Sequence, residues 1–310
     1  MKSISFVCQK NARSFIFPII KRIQNEFDIT IYDHKQLIHN QRLLENCDII
    51  WVEWATDYAA LIAQQYPENR KILRLHSYEA YTNSIYKIQW ENYSDTIFVA
   101  DFIRKRVNSN IQNLESRTKT HIITNGIDPN HYQLKAERTP FNLGFVAYLK
   151  HVKNIPFLIQ CFNALYKSDK RYKLYIAGKL EGCDVEVGEL YDYIIHMINA
   201  FKLHNAIHFD GWVTDMNSWY ETKDFIVSTS IRESQGLNLA EGMSKGLMPV
   251  VHNFPAAREH YPKNCIFNTQ EEFVKTITSN TAHPEVWRAL AIDKFNIDDK
   301  VTDIKRILNS

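Results

Sequence analysis

Residues 225–253 read FIVSTSIRESQGLNLAEGMSKGLMPVVHN, a pattern that predicts a buried strand, a polar turn, a short helix and a second strand. In an open parallel sheet, such a helix begins at the carboxyl end of the preceding strand, where α/β proteins bind their ligands. The unpaired N–H groups of that helix end favour an anion, and Gly236 lets a phosphate approach the backbone because glycine has no Cβ. We therefore predict that Ser234, Gln235, Gly236 and Leu237 form a diphosphate cradle.

Two carboxylates flank this turn. Glu233 precedes it, and Glu241 lies about one turn inside the predicted helix. Because a diphosphate repels carboxylates, both should face neutral hydroxyl groups, from which a carboxylate accepts hydrogen bonds. A sugar on one side and a ribose on the other satisfy this arrangement. The alternative for Glu241 is a solvated surface carboxylate stabilised by the helix dipole, which is worth about 0.3–1 kcal/mol.

Short β-rich runs alternate with amphipathic helical segments through the whole chain. One series of predicted strands lies at 3–7, 29–32, 48–52, 71–75 and 96–99, and a second lies at 142–147, 172–177, 206–210, 224–230 and 248–252. This alternation is typical of βαβ units and parallel sheets. We predict an α/β fold with two Rossmann-like, doubly wound domains.

A polar connection rich in turn-forming residues, NGIDPNHYQLKAERTP (125–140), separates the two series. We place the first domain at residues 1–135 and the second at residues 136–295. The last segment, 296–310, carries apolar residues at helical spacing behind two aspartates that suit a first helical turn.

Composition excludes several classes of protein. A net charge of +2 over 310 residues is too small for a dedicated nucleic-acid binder. The five cysteines form no C-x-x-C pair, which argues against a zinc site and a disulfide framework. No apolar run reaches about 18 residues and the first residues do not resemble an export signal, so we expect a soluble cytoplasmic protein. The first strand is not followed by G-x-G-x-x-G, which disfavours an NAD-dependent enzyme.

The stretch with the two glutamates resembles the retaining glycosyltransferase family 4, whose second domain carries Glu-x7-Glu in the same strand, turn and helix. Four further segments resemble this family in order: ITNGIDPNHY (123–132), LGFVAYLKHVKNIPFLIQCF (143–162), LYIAGKLEG (174–182) and HFDGWVTDMNSWY (208–220). The resemblance implies the GT-B fold, in which two Rossmann-like domains face across a cleft. It also implies that the segment 296–310 crosses back onto the first domain.

The resemblance implies roles for three charged residues. Glu233 would hold hydroxyls of the transferred sugar, Glu241 the ribose hydroxyls, and Lys153 the diphosphate. A merely solvated Lys153 is the alternative, but the start of a helix is an unfavourable place for a cation.

Further roles implied by the resemblance concern the base, the phosphates and the sugar. The base would lie against the backbone of Trp212 and Val213, and Gly178 would give room near the phosphates. His76, which follows a strand of the first domain, would face the sugar. The alternative for such a histidine is a hydrogen bond to neighbouring backbone.

Two departures from the family pattern stand out. Tyr148 occupies the position at which the family usually has an arginine, and the first loop, residues 8–14, lacks the glycines that the family often has. We predict that Lys150 supplies the missing charge, so that two cations face the diphosphate. The alternative is a solvated Lys150, with Tyr148 packed beside the base or sugar.

The sequence thus predicts a retaining, metal-independent glycosyltransferase. It would use a UDP- or GDP-sugar and a glycan, lipid-linked or other hydroxyl acceptor in polysaccharide or glycoconjugate synthesis, with no further cofactor and no nucleic acid. Metal independence is expected because the chain has no Asp-x-Asp triplet. The alternative is a catalytically weak GT-B protein that binds a glycan or partners a true transferase.

A basic run at residues 102–119 predicts a solvated helix face. The alternative for this run is contact with an anionic membrane surface, which would make the protein peripheral on the inner membrane face.

Overall fold

Two parallel sheets of six strands each organise the computed structural model, which describes residues 1–39, 41–148, 150–179, 185–279 and 283–310. Unit 1 comprises Met1–Asp128 with Phe295–Ser310, and unit 2 comprises Pro129–Lys294. The predicted α/β class, with two doubly wound parallel sheets, is confirmed.

Unit 1 has the strand order β2-β1-β3-β4-β5-β6. Its strands are β1 Ser3–Val7, β2 Asp28–Tyr32, β3 Ile49–Glu53, β4 Arg70–Leu75, β5 Asp95–Phe98 and β6 Lys119–Ile122. The helices along this part of the chain are α1 Phe17–Ile23, α2 His34–His39, α3 Asp57–Gln65, α4 Ser84–Lys87, α5 Asp101–Asn110 and α6 Leu114–Arg117. The central strands β3 and β4 are buried on both faces, as expected of a parallel sheet that is covered by helices, and they carry the charged residues Glu53 and Arg74 among their apolar side chains.

Unit 2 has the strand order β12-β11-β10-β7-β8-β9. Its strands are β7 Asn142–Val146, β8 Lys173–Ala177, β9 Ile207–Gly211, β10 Phe225–Ser228, β11 Met248–His252 and β12 Ile266–Phe267. The helices are α7 Ile155–Ser168, α8 Val185–Ala200, α9 Met216–Glu221, α10 Leu237–Ser244, α11 Ala257–His260, α12 Gln270–Thr278 and α13 Pro284–Phe295. Helix α7 packs one apolar face into the core, because Ile155, Leu158, Ile159, Phe162 and Leu165 are all buried.

The last helix, α14 (Ile297–Asn309), belongs to unit 1. Its apolar face, which includes Val301 and Ile304, is buried in the core that α1 also lines. Arg22 of α1 forms an ion pair with Asp298 of this helix. It also pairs with Asp128, with 3.0 Å between Nη2 and Oδ2. Burial of each large aliphatic side chain stabilises such packing by about 1.5–3 kcal/mol.

Lys135, at which the sequence places the domain boundary, is buried within unit 2. Its ammonium group contacts Asp224 and donates to the carbonyl of Lys223 at 2.5 Å. Its backbone N–H donates to the carbonyl of Lys245 at 3.2 Å. These bonds hold Lys135 inside unit 2, which begins at Pro129.

Three details differ from the sequence prediction. Strand β10 ends at Ser228 and not at residue 230, because Thr229 turns away to bond another loop. Strands β6 and β12 were not predicted. β6 has the sequence KTHI at the sheet edge with partly exposed positions, and β12 has only two residues, so neither has a clear apolar pattern.

Candidate functional site

The strand order of unit 2 reverses at β7, which lies between β8 and β10. The loops that follow β7 and β10 therefore lie side by side, at the position where open α/β sheets bind ligands. Two hydrogen bonds join these loops: Thr229 Oγ1 donates to the carbonyl of Lys153 at 2.8 Å, and the N–H of Ile231 donates to that of Val152 at 2.9 Å.

These joined loops bring Lys153 and Glu233 together. Lys153 closes the short 3-10 turn His151–Lys153 just before α7, and Glu233 lies in the turn before α10. Lys153 Nζ is 2.7 Å from Glu233 Oε2, and the two side chains are 24% and 19% exposed. A ligand can therefore reach both ends of this ion pair.

The turn before α10 has its glycine at the residue that precedes the helix. Gly236 has φ +83°, in the left-handed region that side chains disfavour. Tyr261 donates from its hydroxyl to the carbonyl of Gln235 at 2.5 Å, which holds the turn from beneath. Ser234 and Gln235 are buried, at 6% and 0% exposed, so that Glu233 and Leu237 form the accessible part of the turn.

Glu241 lies one turn inside α10, in a setting of tyrosines. Tyr220 donates from its hydroxyl to Glu241 Oε2 at 2.9 Å, and Tyr132 also hydrogen-bonds to this carboxyl. Burial raises the pKa of Glu241 to about 7, although both hydrogen bonds act to lower it. The carboxyl is therefore partly protonated near neutral pH.

Sequence reasoning did not assign the two tyrosines at Glu241 to the site. Tyr132 and Tyr220 are the last residues of two of the segments that carried the family resemblance. Their place in those segments was the signal that could have identified them.

An aromatic pair lies at the carboxyl ends of β7 and β9. The rings of Tyr148 and Trp212 have centroids 5.6 Å apart, and the residues are 51% and 63% exposed. Val213 next to them is partly buried, and Lys150 is exposed and directly precedes the turn that ends in Lys153. Tyr148 thus contacts the segment predicted to hold the base.

Residues 127–278 match the family described as glycosyl transferases group 1. This chain carries a glycosyl transferases group 1 domain. The matched residues hold Lys153, Glu233 and Glu241, and the predicted family resemblance is confirmed.

Two relatives of the group 1 domain are glycosyltransferases of known role. The O-antigen biosynthesis glycosyltransferase WclY of Escherichia coli is 24% identical over 209 residues, which cover 62% of this chain and 56% of WclY. The alpha-monoglucosyldiacylglycerol synthase of Acholeplasma laidlawii is 28% identical over 151 residues, covering 47% of this chain and 36% of the synthase. The chain therefore spans about half or less of the length of these relatives.

A solved structure shares the fold over the whole chain. The crystal structure of Anabaena Alr3699/HepE in complex with UDP and glucose has a TM-score of 0.83 at 15% identity, with 100% of both chains covered. This likeness shows the GT-B fold.

Gly178 of the group 1 domain is required by close packing. Its φ is +143°, and a Cβ at this position would lie 1.7 Å from the carbonyl oxygen of Ala147. Its N–H donates to the carbonyl of Gly211 at 2.7 Å. The glycine therefore lets the loops after β7, β8 and β9 approach one another.

In unit 1, outside the group 1 domain, His76 follows β4 and is buried. Its Nε2 lies 2.7 Å from Glu53 Oε1, and its ring stacks on Trp54 at 3.9 Å between centroids. Arg74 Nη1 lies 3.2 Å from the same Glu53 oxygen. Burial raises the pKa of Glu53, but Arg74 and His76 outweigh it and the pKa is lowered. The partner of His76 is therefore an ionised carboxylate rather than the neighbouring backbone alone.

The basic run is mostly neutralised within unit 1. Lys105 and Arg104 both pair with Asp101, at 2.7 and 2.8 Å, and Arg117 pairs with Glu91 at 2.6 Å. These pairs fit the solvated helix face that the sequence predicts.

No three His, Cys, Asp or Glu side chains in the described ranges gather as a metal site requires. None of the helices in those ranges has the length and apolarity needed to cross a membrane.

Proposed function

We propose that this protein is a retaining glycosyltransferase that transfers a sugar from a UDP- or GDP-sugar to a hydroxyl acceptor. The observation that carries the proposal is the Lys153–Glu233 ion pair, which lies at the strand-order reversal of a group 1 domain, with Glu241 one turn inside the adjacent helix. A cation, an anionic hydrogen-bond acceptor and a helix N-terminus at one crevice suit a sugar diphosphate.

Lys153 exchanges partners when the donor binds. Its ammonium group leaves Glu233 for the diphosphate, and the freed carboxylate oxygens accept hydrogen bonds from hydroxyls of the transferred sugar. The bond between the anomeric carbon and the diphosphate then breaks with its electron pair on the diphosphate. The acceptor hydroxyl oxygen forms the new bond to the anomeric carbon on the same face of the sugar, and its proton passes to the departing diphosphate oxygen. Lys153, Lys150 and the N-terminus of α10 offset the added charge, so that no divalent metal is needed.

The remaining donor contacts follow the elements around this crevice. Glu241 accepts hydrogen bonds from the ribose hydroxyls, and the base lies beside Trp212 and Val213. The turn of residues 234–237 faces the phosphates mainly through its backbone, because Gln235 is buried. Gly178 keeps the neighbouring loops close enough to border the same crevice.

Unit 2 is the donor-binding domain and unit 1 the acceptor-binding domain in this proposal. His76 acts on the transferred sugar, and the Glu53 carboxylate holds its imidazole in place. The alternative of a catalytically weak partner subunit is disfavoured by the presence of Glu233, Glu241 and Lys153 together.

The relatives suggest the nucleotide and the acceptor class. HepE was solved with UDP and glucose, WclY takes part in O-antigen biosynthesis, and the synthase from Acholeplasma laidlawii makes a glycolipid. We therefore favour UDP as the nucleotide and a glycan or lipid-linked acceptor at the cytoplasmic face of a membrane. Because most cations of the basic run are already paired, that run contributes little to membrane contact.

A ligand panel tests the proposal. Thermal shifts of the purified protein are measured with UDP-, GDP- and ADP-sugars, since a ligand at 100 times its Kd adds about 2.7 kcal/mol to the free energy of unfolding. Glu241→Ala should weaken nucleotide binding by about 1–3 kcal/mol, the scale of hydrogen bonds to a charged group. Unchanged stability with every nucleotide sugar would refute the assignment.

A further inference from the structure

Unit 1 has a large open cavity of about 800 Å³ at the carboxyl ends of β1 and β2. The volume is in the range of small-molecule binding sites. Its charged and titratable lining residues are Lys10, Arg13, Asp33, His34 and Lys35. None of them has a role in the donor site proposed for unit 2.

The unusual first loop shapes this cavity. Residues 8–14 lack glycine, and the chain forms a 3-10 turn over Lys10–Phe15 instead of an extended glycine-rich loop. Asp33 ties this turn to the loop after β2: its Oδ2 accepts from the N–H of Lys10 at 2.8 Å, and its Oδ1 accepts from the N–H of Lys35 at 2.9 Å. The Asp33 carboxylate is thus occupied by backbone donors.

The charges that remain are positive. Neither Lys10 nor Lys35 forms an ion pair with any residue that the structure describes, and both are exposed. Arg13 is partly buried. Its Nε is buried without a hydrogen-bond partner among the described residues. His34 packs against Tyr58 with ring centroids 3.8 Å apart, and burial lowers its pKa, so it adds little positive charge. Three cations therefore face the cavity against one occupied carboxylate.

We propose that this cavity binds an anionic group, a phosphate or a carboxylate, carried by the acceptor. Arg13 supplies planar N–H donors to that group, and Lys10 and Lys35 supply charge at its rim. Describing the ligand as the acceptor depends on the proposed function, whereas the anion site itself depends only on the cavity and its cations.

Calorimetric titrations with paired small probes test the site. Glucose 1-phosphate is compared with methyl glucoside, and galacturonic acid with galactose, on the full chain with UDP present to occupy the donor site. The anionic member of at least one pair should bind and its neutral partner should not, and the affinity should fall with added NaCl. The pair that binds distinguishes a phosphate from a carboxylate. Equal binding of neutral and anionic probes, or no binding of either anion, would overturn the proposal.

Variants locate the site. Arg13→Gln and Lys35→Gln should each weaken binding of the anionic probe about tenfold, the loss expected for one charge-assisted contact that is partly exposed. Lys21→Gln, on the exposed side of α1, is the matched control and should leave the affinity unchanged. Lys153→Ala should also leave it unchanged, and an equal loss in that variant would mean that the probe occupies unit 2.

The same titrations separate this proposal from the proposed function. If the wild-type protein binds the anionic probe but no nucleotide sugar, the anion site is supported and the transferase is refuted. If it binds UDP-sugars but shows no preference for anionic probes, the transferase is supported and the anion site is refuted.

Discussion

Lys153 Nζ lies 2.7 Å from Glu233 Oε2, although the two residues are 80 positions apart in the chain. Both side chains are partly exposed, and such pairs contribute only about 0–1 kcal/mol to the free energy of unfolding. A diphosphate can therefore displace Glu233 from the lysine at little cost. Under the proposed function, the ion pair would keep the cation in place while the donor is absent.

Replacing Lys153 should reduce turnover more than it reduces stability. Lys153→Ala should lower kcat by roughly 10²-fold, the effect of removing one preorganised donor to developing charge. Lys150→Ala should cause a comparable loss if two cations share the diphosphate. Steady-state kinetics of both variants decide this, with Lys167→Ala at the far end of α7 as a control. Near-normal turnover of Lys150→Ala would show that no residue at that position replaces the family arginine.

Glu233→Gln should separate sugar recognition from nucleotide recognition. The amide keeps the shape of the side chain but loses the charge that pairs with Lys153, so UDP affinity should not fall. Turnover should fall, because the acceptor for the sugar hydroxyls is weakened. Calorimetry with UDP and initial rates with the UDP-sugar are the two measurements. An equal loss of UDP affinity in Glu233→Gln and Glu241→Ala would contradict this division of roles.

Glu241 should make stability depend on pH. Its pKa is raised to about 7 from the usual 4.5, so the folded state keeps a proton that the unfolded state loses. The stabilisation is fully present below about pH 4.5 and is lost as the pH rises through about 7. The free energy of unfolding of the wild type, measured with urea, should therefore fall as the pH rises through this window, relative to that of Glu241→Gln. Parallel pH profiles for the two proteins would show that the carboxyl titrates normally.

Donor binding should release that proton. UDP-glucose, which has no phosphate group titrating in this range, is a suitable ligand because any proton uptake or release then belongs to the protein. Calorimetry at pH 7 in two buffers of different ionisation enthalpy measures the release. It should disappear in Glu241→Gln.

Gly178→Ala should destabilise unit 2. The new Cβ would meet the Ala147 carbonyl oxygen at 1.7 Å in a backbone conformation that suits only glycine. Strain and repacking together should cost roughly 2–5 kcal/mol, measured by urea unfolding. Gly188→Ala is the control, since that glycine lies in α8 with open space around it. There the substitution should stabilise the protein by up to about 1 kcal/mol.

Sugar transfer should survive metal chelation. In the proposed mechanism, lysines and a helix N-terminus take the place that a divalent cation would have at the diphosphate. Transfer rates are measured with EDTA and again after Mn²⁺ is added. Activity that is lost with EDTA and restored by Mn²⁺ would exclude the metal-independent site.

The sequence predicted the sheets and the strand, turn and helix around Glu233 and Glu241 because the signals of these elements are local. Strand β10, the turn, α10 and β11 follow one another within the 29 residues 225–253, and the apolar spacing of α7 is regular. The Lys153–Glu233 contact was not predicted as a contact. It depends on β7 and β10 being neighbours in the sheet, which periodicity does not reveal.

Long-range partners were the part that sequence reasoning missed. Tyr220 reaches Glu241 from the end of α9, and Glu53 reaches His76 from the neighbouring strand β3. A tyrosine or a glutamate at such positions has no distinctive local pattern. Glu53 becomes recognisable only when the register of β3 and β4 brings it close to His76, and Tyr220 only when α9 lies near α10.

The place of α14 in unit 1 sets an order on folding during synthesis. Residues 129–294 form a continuous unit that can fold as soon as they have left the ribosome, whereas the hydrophobic core of unit 1 lacks Val301, Ile304 and Leu308 until translation passes them. The first 128 residues therefore have an incomplete core with exposed apolar surface until α14 has been synthesised. Such a nascent intermediate is a natural client for chaperones, and truncation of only the last helix would leave it permanently in that state.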